Sequence, residues 1–177
     1  MTKTAATMLT LAYAAAFAYF GPLEIELPSL GAPAGAEAAQ QAPSFRLPGA
    51  KGGEIDLASY SGKPVMLLFF TESCPYCRIA GPAVEKIYRE YGPKGLNVIG
   101  ICLDNSPEAA LNFARDLGIS FPLAYDGRDV SVSYRARGVP YIYLLDAGHK
   151  LYDVWEGYDE SYAPMLKSSV ESLLAGK

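Results

Sequence analysis

Cysteine and histidine are scarce in this chain: three of the first and one of the second in 177 residues. That excludes a zinc site built from many Cys and His ligands of this chain alone, and three cysteines are too few for a disulfide framework. Basic residues are also few. Fifteen Lys and Arg stand against 19 Asp and Glu, for a net charge of −4, with no basic block and no aromatic–basic interleaving. Nucleic acid is therefore not an expected partner. Charged residues make up only 19% and hydrophobic ones 50%, a balance that fits a folded domain with a sizeable core and excludes a disordered chain. No internal repeat is visible.

Two of the three cysteines stand together in Cys74-Pro75-Tyr76-Cys77, where an extended apolar run, Pro64 to Phe70, gives way to a helical pattern, Pro75 to Tyr91. A strand-to-helix junction sets the first sulfur over the helix N-terminus. There, unpaired N–H groups and the positive end of the helix dipole favour thiolate over thiol. A thiolate attacks disulfides, and a second thiol three residues on is within reach to release the mixed disulfide. The junction reads as a redox site that needs no metal and no cofactor. The third cysteine, Cys102, sits in the apolar run Leu96–Leu103. It reads as a buried, inert strand residue, or as a resolving thiol if the strands bring it near Cys74.

Ala5 to Leu23 carries no charge, is close to the roughly 20 residues that cross a bilayer, and lies between Lys3 and Glu24. The positive-inside rule then places the rest of the chain outside the cytoplasm. Residues 1–30 are expected to form a membrane anchor or a signal peptide; Ala34-Gly35-Ala36 and Ala36-Glu37-Ala38 resemble peptidase sites. Residues 31–43, rich in Ala, Gly, Pro and Gln, read as a flexible tether, and residues 44–177 as the domain.

Within the domain, Ser44–Leu47 and Glu54–Leu57 look like a hairpin, and Val65–Phe70 like a strand covered on both faces. Pro75 suits the first helical turn, while Pro82 falls inside that helix and should kink it. Leu96–Leu103 reads as a second buried strand. Asp104 to Pro107 caps a helix through Leu117 that Gly118 stops. Phe121–Tyr125, Val139–Leu145 and Lys150–Trp155 read as strands, the last two joined by an Asp146-Ala147-Gly148-His149 turn. Asp129–Tyr134 is a short helical turn and Tyr162 to Leu174 a closing helix. The order implies an α/β fold, a central mixed sheet flanked by helices.

These residues resemble thioredoxin-like proteins of the membrane-tethered or exported TlpA/ResA type, from Phe45 to the C-terminus. The resemblance is carried by the Cys74–Cys77 motif after an apolar strand, by Pro82, by Gly138-Val139-Pro140 at that family's cis-proline site, and by the extra segment Pro107–Tyr125. It implies a thioredoxin-like fold with an N-terminal β-hairpin and a central insertion. It also implies a thiol–disulfide oxidoreductase in which Cys74 is the exposed nucleophile, Cys77 the recessed resolving thiol, and Val139 and Pro140 backbone that pairs with a bound polypeptide. Tyr76 would face the partner protein, and Pro75 and Tyr76 would set the potential. The buried acid of thioredoxin is replaced by Leu68 and its lysine partner by Gly100, so that proton relay is not carried over. Glu72 is the nearest carboxylate, a proton acceptor for Cys77 through water or simply solvated. Ser73 stands where an aromatic residue is common.

The Pro-Tyr dipeptide is that of glutaredoxins, whose potentials of about −200 to −230 mV are milder than thioredoxin's. The TlpA/ResA resemblance instead implies a reductant for exported proteins, such as apocytochromes c or copper-site assembly factors, recharged by a membrane or periplasmic thiol reductase. Reduction is the expected direction. Alternatives are a disulfide oxidase or isomerase, a peroxiredoxin-like peroxidase using Thr71 and Cys74, a copper chaperone using Cys74, Cys77 and His149, and a non-catalytic scaffold. The expected location is periplasmic, anchored through residues 5–23 if the leader is uncleaved.

Overall fold

The computed structural model describes residues 40–176. The leader, its two candidate cleavage sites and most of the tether lie outside them. Among the described residues, no helix is long and apolar enough to cross a membrane.

Strand β3 (Val65–Phe70) forms the centre of the domain, and every one of its side chains is buried. Such a strand needs cover on both faces and partners on both edges. It pairs in parallel with β4 (Asn97–Cys102) and antiparallel with β6 (Tyr141–Leu145). The five-stranded sheet has the order β5-β4-β3-β6-β7, with β5 at Leu123–Ala124 and β7 at Leu151–Glu156. A separate hairpin, β1 (Arg46–Pro48) with β2 (Glu54–Asp56), precedes it. Alternation along β3 splits the core in two. Met66, Leu68 and Phe70 pack with helices α1 (Pro75–Tyr91), α2 (Pro107–Leu117) and α4 (Tyr162–Ala175). Val65, Leu67 and Phe69 pack under the hairpin and Tyr134, which follows the short helix α3 (Arg128–Ser133). This is the mixed sheet between helices that the residue pattern implies.

Helix boundaries follow local chemistry. Ser106 caps α2, its hydroxyl accepting the Glu108 N–H at 3.1 Å, and Pro107 takes the first turn. Gly118 ends α2 in the left-handed region, with φ 67°. Phe113 of α2 stacks on Phe70 with ring centroids 4.1 Å apart, which fastens the inserted segment to the central strand.

Several boundaries differ from expectation by a residue or two, and three differences have a clear physical cause. The strand expected over Phe121–Tyr125 shrinks to Leu123–Ala124 because proline at 122 has no N–H for the ladder, and Tyr125 N–H turns to the Pro48 carbonyl at 3.1 Å. The Val139 strand starts only at Tyr141, after a cis Val139–Pro140 bond. Residues 40–43, expected within the tether, lie against the domain. Leu151 N–H donates to the Gln40 carbonyl at 2.9 Å, Ala42 N–H to His149 at 2.9 Å, and the Tyr134 hydroxyl to Pro43 at 2.7 Å. Leu151 at the start of the edge strand β7 and His149 in the turn before it supply the unpaired backbone groups that hold Gln40 and Ala42.

Tyr141, Tyr143 and Tyr158 are buried. The Tyr141 hydroxyl donates to Glu156 and that of Tyr143 to the Tyr134 carbonyl. Tyr162 is half-buried.

Candidate redox site

The site lies where β3 ends. Thr71-Glu72-Ser73 makes a turn, Cys74 caps α1 with extended backbone (φ −74°, ψ 114°), and Pro75 opens the helix. The Cys77 N–H points at Cys74 Sγ at 3.1 Å, so the sulfur occupies the usual place of an N-cap oxygen. No acidic residue stands in the first turn of α1 to oppose a negative sulfur. Cys74 and Cys77 are joined as a disulfide with Cα atoms 5.2 Å apart.

The two sulfurs are unequal in access. Cys77 is wholly buried, while Cys74 retains 9% exposure. The expectation of an exposed Cys74 needs adjusting: only a small part of the residue meets solvent. Its surroundings explain this, because the Val139 carbonyl lies 3.5 Å from Cys74 Sγ. Pro140, next in the chain, is buried beside it. Tyr76 stands clear at 62% exposure, and Ile79, one turn on, at 50%. Ile79 was not singled out in the sequence, where the position reads as one more apolar residue of a helical pattern.

Cys74, Pro75, Tyr76, Cys77, Val139 and Pro140 therefore come together. Pro82 does not. It occupies an exposed position in α1, about 10 Å along the helix from Pro75, and contributes to helix shape rather than to the disulfide. Glu72 forms no hydrogen bond with either cysteine. Its carboxylate accepts from Asn112 Nδ2 at 2.9 Å, and its N–H donates to Asp104 Oδ2 at 2.9 Å. His149 lies in the β6–β7 turn, its ring nitrogen 3.1 Å from the Tyr60 carbonyl, at the end of the sheet remote from Cys74. A copper site shared by His149 with the two cysteines is thus not assembled in this fold.

Cys102 is free and buried; burial pushes its thiol up to about 12, and its Sγ sits 3.5 Å from Asp104 Oδ2. A thiol so reluctant to ionise is a poor nucleophile, which fits the inert reading. Leu68 and Gly100 face each other in register across β3 and β4. A Cβ at 100 would collide with the Leu123 side chain, so this sheet has no room for the second member of a buried ion pair there.

One buried charge in α1 escaped the sequence reading. Glu85 is 5% exposed and accepts from the Ser120 hydroxyl at 2.6 Å, the Ser120 N–H at 2.8 Å and Arg89 at 2.6 Å. Burial alone would raise its carboxyl; these donors outweigh it and hold the group below its ordinary value. A lowered folded value means that the stabilisation is present above the unfolded carboxyl range and is lost as pH falls through the folded one. Glu85→Ala is expected to cost about 1–3 kcal/mol at pH 7, since it removes three hydrogen bonds made by a buried carboxylate. Urea midpoints measured from pH 7 down to pH 3 should converge with wild type at the acid end. A constant gap would show that packing, not charge, makes the difference.

A model of the AhpC/TSA family matches residues 38–154. The thioredoxin-like protein YneN of Bacillus subtilis is 31% identical over 126 residues, covering 70% of this chain and 74% of that protein. The thiol-disulfide oxidoreductase ResA of Halalkalibacterium halodurans is 34% identical over 124 residues, covering 69% of this chain and 70% of that one. Among solved structures, a Chlorobium tepidum protein named as a thiol:disulfide interchange protein DsbE superposes with a TM-score of 0.72 at 26% identity. The match covers 77% of this chain and 96% of that one. A Bacteroides thetaiotaomicron protein named as a protein disulfide isomerase gives 0.71 at 30% identity, with 77% and 89% covered.

Proposed function

Because the chain belongs to the AhpC/TSA family and is a thioredoxin-like thiol–disulfide oxidoreductase of the ResA type, we propose that it reduces disulfides of exported proteins through Cys74 and Cys77. The observation that carries the assignment of roles is the position of Cys74 at the N-cap of α1, bonded to a wholly buried Cys77.

In the reduced protein, the Cys74 thiolate is stabilised by the Cys77 N–H and by the helix N-terminus. It attacks one sulfur of a substrate disulfide, forming a Cys74–substrate bond and releasing one substrate thiolate. Cys77, after losing its proton, attacks Cys74 Sγ, closes the Cys74–Cys77 disulfide and releases the second substrate thiolate. The substrate gains two electrons, and a dithiol reductase restores the enzyme. The Val139 carbonyl is placed to accept a backbone N–H from an extended substrate, and Tyr76 and Ile79 offer apolar surface next to the exchanging sulfurs.

The TlpA/ResA likeness is the ground for preferring reduction over oxidation, since the helix cap that stabilises the Cys74 thiolate serves exchange in either direction. The uncharged segment Ala5–Leu23 supports an extracytoplasmic setting, with apocytochrome c or copper-site assembly thiols as substrates and a membrane or periplasmic thiol reductase as donor. Equilibration with glutathione buffers tests the direction. A potential at or below about −200 mV is expected, and one above about −150 mV, near the strong oxidants, overturns reduction.

A further inference from the structure

The backbone ladder between β3 and β4 ends just short of the disulfide. Phe70 lies opposite Cys102, and Leu103 N–H donates to the Phe70 carbonyl at 2.8 Å. In a continued parallel ladder, the Leu103 carbonyl would next receive the Glu72 N–H. The two chains diverge instead, β3 toward Cys74 and β4 toward α2. The Glu72 N–H is received by a side chain, Asp104 Oδ2, at 2.9 Å.

Asp104 is itself held. Its main-chain carbonyl accepts the Asp126 N–H at 2.8 Å, and the same Oδ2 lies 3.5 Å from Cys102 Sγ. The turn it grips is short: Cys74 N–H returns to the Thr71 carbonyl at 3.4 Å, with Glu72 and Ser73 between. A second tie reaches the turn from α2, through Asn112 to the Glu72 carboxylate and Arg115 to Asn112 at 2.8 Å.

Resting on the thiol-exchange reading above, we infer that Asp104 is a positioning residue for Cys74: its carboxylate replaces the missing ladder rung and fixes the Thr71–Ser73 turn, so that Sγ stays on the Cys77 N–H and beside the Val139 carbonyl. Asp104 touches neither sulfur. It acts through the backbone of Glu72, while the inserted segment reaches the same turn separately, through Asn112. Loss of the rung lets the cap drift from the N–H that stabilises its thiolate. The thiol then ionises at higher pH and meets its target less often in line.

The test compares reduced full-length protein with Asp104→Asn, which keeps an acceptor oxygen, and Asp104→Ala, which does not. The readouts are the pH profile of iodoacetamide alkylation at Cys74, located by peptide mass, and the rate of insulin disulfide reduction. Asp104→Asn should stay within about twofold of wild type, while Asp104→Ala should move the profile to higher pH and slow reduction about tenfold. An Asp104→Ala protein with the wild-type profile and rate overturns the proposal, as does an Asp104→Asn protein as impaired as Asp104→Ala. Amide hydrogen exchange at Glu72 in the wild type needs no variant to fold. Protection is expected there, and exchange at the unprotected rate counts against the rung. A wild-type protein that reduces no disulfide probe would sink the exchange reading itself, a result distinct from any ranking of the Asp104 variants.

Discussion

Serine at position 74 is expected to lower disulfide reduction by at least about 10³-fold, because it removes the only nucleophile that meets solvent at the helix cap. The matching Cys77→Ser variant should fail in a different way. Its Cys74 still attacks, but nothing resolves the product, and a Cys74–substrate disulfide accumulates. Non-reducing electrophoresis with mass spectrometry distinguishes the two. The unequal burial of the sulfurs dictates the ranking, since Cys74 keeps an edge in solvent, whereas Cys77 lies wholly inside. A stable mixed disulfide on Cys74→Ser, carried by Cys77, would reverse the roles. Cys102 should not confuse the outcome, as a buried thiol pushed up to about 12 forms little thiolate near neutral pH. Applied in the native host, the Cys77→Ser trap also reports the physiological substrates.

An acid installed at Leu68 should destabilise the domain by about 3–5 kcal/mol at pH 7. Leu68 is completely buried in the central strand, and the residue directly across the ladder is Gly100, which offers no side chain. A lysine at 100 is a poor remedy, because its Cβ would collide with Leu123 Cδ2 and crowd the Phe121 and Phe70 rings. Burial raises a carboxyl's pKa, so the variant is least impaired where the new group stays protonated and loses stability as pH rises through its folded value. Urea unfolding of Leu68→Asp at pH 4 and pH 7 checks both size and sign. A loss below about 1 kcal/mol at pH 7 would mean that the site hides a polar partner.

Much of this architecture could be read from local signals. Six consecutive apolar residues from Val65 mark a strand covered on both faces, and the proline after Cys74 marks the first helical turn. Gly118 ends its helix by backbone preference, and the Asp146–His149 turn is held locally by the Asp146 side chain. The cysteine pair and the Gly138-Val139-Pro140 run locate two sides of the site at once. What stayed hidden depends on contacts far apart in sequence. Glu85 and Arg89 are spaced as an ordinary surface pair on a helix, and only the fold brings Ser120 from another segment to bond the buried Glu85 carboxylate. Asp104 reads as part of a helix cap, yet Ser106 performs the capping while Asp104 reaches back 32 residues to Glu72. The limited exposure of Cys74 likewise arises from Val139, 65 residues away. The shortened β5 was legible in Pro122, but apolar composition outweighed the missing donor.

The hydrogen bonds of Gln40 and Ala42 to the β6–β7 turn fix where the polypeptide joins the domain. That turn follows Leu145, which pairs with Val65 at the start of the central strand, whereas the disulfide follows Phe70 at its finish. Handle and working surface thus sit at opposite ends of the same strand, roughly 20 Å apart at the usual rise per residue. A support, tag or fusion partner attached upstream of Gln40 would therefore meet the domain at the end of β3 away from the disulfide, and the sulfurs would not lie at the point of attachment.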